Sequence, residues 1–177
     1  MSQESLRGAV LGHPINHSLS PLLHKKAFDL LGITGEYTAI EVKSGELQDF
    51  IEKRGNDFDY FSLTMPLKEE ALDLKMDIEI DTLGKRIQSI NTLKRTGNAW
   101  SATSTDGSGF IKSLNNAGYS KFNKVLVLGA GGTARAVAGA LDDIATSVDV
   151  MRRSVRRSSA IAASSSSCSE RWGPWFC

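Results

Sequence analysis

The chain has 177 residues, room for one ordinary domain or two small ones with a real core. Its 41% hydrophobic and 23% charged residues are the proportions of a globular protein in water. A formal net charge of +1 provides no global field for nucleic acid or an anionic membrane, and MSQESLRGAVLG has no apolar run of signal-peptide or membrane-spanning length.

In chain order, RGAVLG (7–12) reads as a short strand stopped by glycine. PLLHKKAFDLLG (21–32) reads as a helix with Ser20 as N-cap and Pro21 at its first position. Leu22, Leu23, Ala27, Leu30 and Leu31 share one side of it, the expected core face. EYTAIEV (36–42) is a strand, ELQDFIEKR (46–54) a helix and YFSLT (60–64) a strand. PLKEEALDL (66–74) is a helix opened by proline. Residues 89–106 have the marks of a hairpin that turns at Thr96-Gly97-Asn98. GFIKSLNNAG is a helix ending at glycine, KVLVLG a buried strand, TARAVAGAL a helix and SVDVM a further strand. Such alternation predicts an α/β architecture with mainly parallel sheets, and no internal repeat is visible.

After Arg157 the composition changes. Seven serines fall between 158 and 169, followed by two tryptophans and a terminal Phe-Cys. This stretch has neither helical nor strand period and is expected to be a disordered or aberrant tail. Both cysteines, Cys168 and Cys177, lie in it, so no disulfide framework or metal site is expected, and the reducing cytoplasm is the expected compartment.

KVLVLGAGGTARAVAGAL holds Gly129-x-Gly131-x-x-Ala134 between a strand and a helix. Gly129 permits a tight turn, Gly131 lets a pyrophosphate approach the backbone, and Ala134 permits close helix–strand packing. The alternative is a merely tight strand–helix turn. Asp149 has the separation from Gly129 expected of a ribose-binding acid, but it lies inside its strand rather than at the end. Arg152 and Arg153 occupy that end with Arg156 and Arg157 close behind. Guanidinium groups suit a 2′-phosphate, which favours NADP over NAD; the alternative is a solvated basic run.

Four further groups fall at strand ends or helix starts: Ser18/Ser20, Thr64 with Lys68, Asn91 with Thr92, and Ser104-Thr105-Asp106. Each has a local explanation. Ser20 is a helix cap, Lys68 a surface partner of Glu69 or Glu70, Asn91 a turn residue, and Asp106 the cap of helix 107–117.

Together, GHPINHSLSPLLH, SLTMPLKEEA, SINTL, STDGSGF, VLGAGGTARA and RRSVRR stand in an order and spacing that resembles the shikimate dehydrogenases, from about Gly8 to Arg157. The resemblance implies an α/β substrate-binding domain, residues 1–105, followed by an incomplete Rossmann-like NADP domain, residues 106–157, with the site in the cleft between them. It implies that Ser18 and Ser20 bind a substrate carboxylate, that Thr64, Asn91 and Asp106 bind ring hydroxyls, and that Lys68 with Asp106 is the catalytic acid/base pair. Gly129, Ala130, Gly131, Gly132, Thr133, Ala134, Arg153 and Arg157 would hold NADP. The implied chemistry is reversible reduction of 3-dehydroshikimate to shikimate, a step toward chorismate and the aromatic amino acids. The expected partner is thus a small molecule, with no nucleic acid, membrane or metal, and the oligomeric state is open, a homodimer included.

Three positions depart from the family pattern: Ser62 for asparagine, Gln88 for glycine and Arg152 for asparagine. After Arg157 the family continues through the rest of the Rossmann sheet and then returns helices to the first domain, and residues 158–177 resemble none of that. The expectations are a stable region 1–105, loose packing over 124–157 and weak dehydrogenase activity. A non-catalytic substrate-binding module is the alternative.

Overall fold

The computed structural model describes residues 5–151, which fold into two sheets with helices between and around them. The first contains β1 (Leu6–Gly12), β2 (Gly35–Glu41), β3 (Tyr60–Leu63), β4 (Ile78–Ile80), β5 (Thr92–Thr96) and β6 (Ala99–Thr103). Their order is β2-β1-β3-β5-β6-β4, and β5 alone runs against the others. The second sheet pairs β7 (Phe122–Leu128) in parallel with β8 (Ala145–Met151). The chain is therefore an α/β protein with mainly parallel strands.

Strand alternation sends side chains to both faces of the first sheet. Ala9, Leu11, Phe61, Leu63, Leu93 and Ala102 enter the larger core, where α2 (Leu47–Arg54) and α3 (Leu67–Glu70) contribute Leu47, Ile51 and Leu67. Val10 and Tyr37 enter a smaller core on the other face, with Ile15 and Phe28. A strand buried on both faces reads as a continuous apolar run, which is why β1 is visible as one.

Helix α1 (Ser20–Leu31) corrects two expectations. Leu22, Leu23, Leu30 and Leu31 are 65–73% exposed and Ala27 is exposed, while Phe28 is buried. The inward face is set by the His24 ring, stacked on Tyr37 at 3.6 Å between centroids, and by Phe28 beneath it. Helical period locates an apolar stripe but not the side on which a sheet lies. The N-cap is Leu19, with no side-chain cap. Ser20 opens the helix, and its backbone N–H donates to Ser18 Oγ at 3.3 Å.

Two elements were not anticipated, β4 and α4 (Thr82–Ile87). Asp81 caps α4 by accepting from Gly84 N at 2.6 Å, and it also accepts from Thr103 Oγ1. β4 has three residues, too short for a period to show. α4 ends at Gln88, whose φ of 51° places it in the left-handed region where the family pattern has glycine. The expected helix 66–74 is shorter than its pattern, with α3 ending at Glu70. The hairpin forms as expected: Thr96 pairs with Ala99, and Gly97 supplies the positive φ of 63°.

Helix α5 (Asp106–Asn116) leads to the second sheet, and α6 (Gly132–Leu141) connects its strands. β7, expected to be buried, has Leu126 54% and Leu128 75% exposed. Its one neighbouring strand among the described residues is β8, and four of its seven residues are exposed and none is buried. Helix α6 packs away from this sheet as much as onto it. A Cβ on Gly107 would lie 2.5 Å from Ala136 O, and one on Gly139 would lie 3.0 Å from the Ile87 side chain. The dinucleotide-type helix is thus seated against α5 and the end of α4. No helix among the described residues is long and apolar enough to cross a membrane.

Candidate active site

The carboxyl ends of parallel strands gather the polar residues singled out above. β1, β3 and β6 end at one edge of the first sheet, and antiparallel β5 begins there. Thr64 follows β3, Asn91 precedes β5, Asp106 follows β6, Ser18 lies on the loop after β1 and Ser20 opens α1. Thr64 N donates to Leu11 O at 2.9 Å and His13 N to Met65 O at 3.0 Å, tying the first two of these loops together. The peptide bonds before Pro14 and Pro66, one in each loop, are cis.

Lys68, in the single turn of α3, extends to Asp106, with Nζ 2.5 Å from Oδ2. Both side chains are largely buried, at 15% and 19% exposure. The other carboxylate oxygen accepts from Asn91 Nδ2 at 2.7 Å. Asn91 is fixed in turn: its Oδ1 accepts from Thr105 N and from Thr92 Oγ1, each at 2.9 Å. The amide thus has no freedom to flip. Asp106, expected as a helix cap, turns its carboxylate away from the helix, which has no side-chain cap. Glu69 and Glu70 do not pair with Lys68. Glu70 accepts from Gly45 N and Leu47 N at the entry to α2, and Glu69 pairs with Arg135.

The loop after β7 has the geometry that its sequence predicts. Gly129 has φ 123°, and a Cβ there would come within 3.9 Å of Ala134 Cβ. A Cβ on Gly131 would meet nothing within 4 Å, so that position is open to a ligand. The first backbone bond of α6 runs from Arg135 N to Gly131 O, leaving the N–H groups of residues 132–134 outside the helix ladder. This end of α6 and the Lys68 turn enclose a cavity of about 320 Å³, lined by Thr64, Met65, Pro66, Lys68, Glu69 and residues 131–134. Gly132 packs closely: a Cβ on it would lie 2.5 Å from Ser89 Oγ, a buried hydroxyl with no hydrogen-bond partner among the described residues. Asp149 bonds across to Lys124 at 3.4 Å from within β8, away from the loop.

Lys68, Asn91, Asp106 and Thr133 are therefore in one hydrogen-bonded cluster, and Thr64 shares the cavity with Lys68. Ser18 and Ser20 stand at the same edge without a direct bond to that cluster, and the Ser20 hydroxyl has no protein partner among the described residues. Arg153 and Arg157, with the rest of the arginine run and residues 158–177, lie outside the described residues.

Arg135 was not anticipated. Its guanidinium donates to Ile87 O, Gln88 O, Ala130 O and Glu69 Oε1 at 2.6–3.1 Å, stitching α6 and its loop to α3 and α4. The available signal was a lone charge between Ala134 and Ala136 on an otherwise apolar helix.

Residues 10–93 match the model of the shikimate dehydrogenase substrate-binding domain. The NADP(+) shikimate dehydrogenase of Ignicoccus hospitalis is 40% identical over 154 residues, 87% of this chain and 58% of that protein. That of Thermus thermophilus is 38% identical over 157 residues, 89% of this chain and 59% of the relative. The crystal structure of the T. thermophilus enzyme with shikimate superposes with a TM-score of 0.78 at 37% identity, over 84% of this chain and 57% of that one. Its complex with NADP(H) and shikimate has a TM-score of 0.74 at 37% identity, over 82% and 54%. The chain spans somewhat under three fifths of the length of these relatives. Over the matched residues the chain is similar to the NADP(+) shikimate dehydrogenases.

Proposed function

We propose that this chain is a member of the shikimate dehydrogenase family, binding shikimate and 3-dehydroshikimate at the carboxyl edge of the first sheet, and NADP on the loop 129–134. The lobes divide near residue 105, with 106–157 the beginning of the NADP lobe, and the setting is the cytoplasm. The observation that carries the reading is the Lys68–Asp106 pair, whose lysine lines one cavity with the amino end of α6.

Each residue then has a task its chemistry can perform. Ser20, with a free hydroxyl at the start of α1, and Ser18 beside it receive the substrate carboxylate, helped by the positive end of the helix. Thr64, Asn91 and Asp106 take ring hydroxyls. Lys68 gives a proton to the carbonyl oxygen of 3-dehydroshikimate as that carbon is reduced, and takes it back in reverse. Its ammonium also stabilises negative charge developing on that oxygen. Asp106 holds the ammonium in place, and Asn91 holds Asp106. The loop fits a pyrophosphate, because Gly131 leaves the approach open and the N–H groups of 132–134 are available. When bound, NADPH supplies the hydride.

A second reading, a substrate-binding module without turnover, is favoured by the outward apolar side chains of β7 and β8. Calorimetric titration of the whole chain with shikimate and with NADP+, followed by an assay of shikimate-dependent NADP+ reduction, separates the two. Binding of both with turnover abolished in Lys68→Ala supports the enzyme. Shikimate binding with no turnover in the parent selects the module, and absence of shikimate binding overturns both.

A further inference from the structure

We propose that Thr133, on the first turn of α6, is a positioning residue for Lys68. It closes a ring of three hydrogen bonds that leaves the ammonium one free proton, aimed in one direction. The inference rests on the reading of Lys68 as proton donor. Lys68 Nζ donates to Asp106 Oδ2 at 2.5 Å and to Thr133 Oγ1 at 2.8 Å, and Thr133 Oγ1 donates its own proton to Asp106 Oδ2 at 3.0 Å. A lysine ammonium has three donors and a threonine hydroxyl one, so these bonds use two of the three and all of the one. Asn91 occupies the other carboxylate oxygen. The carboxylate cannot rotate to free Oδ2 without losing a bond, and the ammonium cannot spin without exchanging one partner for another. The third proton of Lys68 is left for substrate.

Bare backbone at Gly132 makes the approach possible. A Cβ there would collide with Ser89 Oγ at 2.5 Å and touch the Lys68 stem at 3.4 Å. Thr133 also belongs to the turn whose N–H groups lie outside the helix ladder. An anion held there and the proton donor thus share one rigid element. Occupancy of the loop should stiffen the ammonium, and binding at either place should strengthen the other by the same factor.

Thr133→Val keeps the branched shape and removes the hydroxyl, whereas Thr133→Ser keeps the hydroxyl. The first measurement needs no ligand: hydrogen exchange of the Lys68 ammonium in the ¹⁵N-lysine-labelled whole chain, with its resonance assigned by Lys68→Arg. The expected result is slow exchange in the parent, several-fold faster exchange in Thr133→Val, and a rate near the parent's in Thr133→Ser. A parent ammonium that exchanges as fast as those of exposed Lys25 and Lys53, or a valine variant matching the parent, overturns the proposal. The second measurement is the ratio of shikimate affinities with and without NADP+, expected to exceed one in the parent and in Thr133→Ser and to fall toward one in Thr133→Val. A ratio untouched by the valine overturns the coupling. A parent that binds neither ligand overturns the functional reading instead, while the exchange rates still decide whether Thr133 holds the ammonium.

Discussion

In the six-stranded sheet, residues 6–103, the central strands send apolar side chains to both faces, and both faces are covered. In the two-stranded sheet, residues 122–151, Leu126, Leu128 and Met151 are 54–75% exposed among the described residues. Yet the element the proposed chemistry needs from the second region, the amino end of α6, is tied directly to the first. Arg135 bonds it to α3 and α4, and Gly107 and Gly139 let backbone and side chains close on it without space between. Precision at a site depends on what its element is bonded to, not on which sheet the element follows in sequence.

The largest expected effect tests the contrast in burial. Phe61 is fully buried, with the rings of Phe50, Phe58 and Trp100 around it at 5.0–5.8 Å between centroids. Phe61→Ala should cost about 3–5 kcal/mol of unfolding free energy, as large-to-small changes in a packed core do. Leu128→Ala should change it by less than about 0.5 kcal/mol, as a substitution in the open does. Urea unfolding followed by circular dichroism compares the two, and equal losses would break the contrast.

Next comes the bridge between the regions. Arg135→Ala removes four hydrogen bonds, three of them to backbone carbonyls, and should cost about 3 kcal/mol. Arg135→Lys should recover little, because an ammonium cannot reproduce the planar fork. Amide exchange over 130–141 should accelerate in both variants while that of β1 and β3 stays slow. Unchanged protection of α6 would mean that its own sheet holds it after all.

A smaller effect sharpens the account of the first region. Gln88 holds φ 51°, where a side chain strains the backbone, although its amide donates to Lys85 O at 2.7 Å. Gln88→Gly should stabilise by about 0.5–1 kcal/mol, the relief of the left-handed strain less the lost bond. A net loss in thermal or urea unfolding would mean that the bond outweighs the strain.

The smallest effect is at alkaline pH. Burial, then the neighbouring Tyr37 and Asp59, push the Tyr60 hydroxyl up to about 12. The unfolded chain releases this proton near 10 while the folded one keeps it, so folding is favoured below that pH and stability falls as pH rises toward 12. Tyr60→Phe should flatten that fall in urea unfolding between those limits, and an equally steep fall in the variant would assign it elsewhere.

Local patterns made much of this legible in advance. A glycine loop between an apolar strand and a helix announces itself because turn, open approach and close packing each demand a small residue at a fixed offset, and Gly129, Gly131 and Ala134 meet those demands in place. The hairpin at Gly97 and the strands β1, β2 and β3 follow from nearest-neighbour chemistry in the same way. Lys68, Asn91 and Asp106 came from resemblance, since taken singly each had an adequate local explanation. Tertiary structure alone decided which side of α1 meets the sheet, that β7 keeps an open face, and that Thr133 enters the ion pair. A lone charge on its helix set Arg135 apart locally, but its partners on α3, α4 and the loop were fixed only by the tertiary structure. The reason is physical: periodicity records where apolar groups lie around an element's own axis. What lies opposite that axis is set by chain dozens of residues away, as Lys68 and Thr133 are.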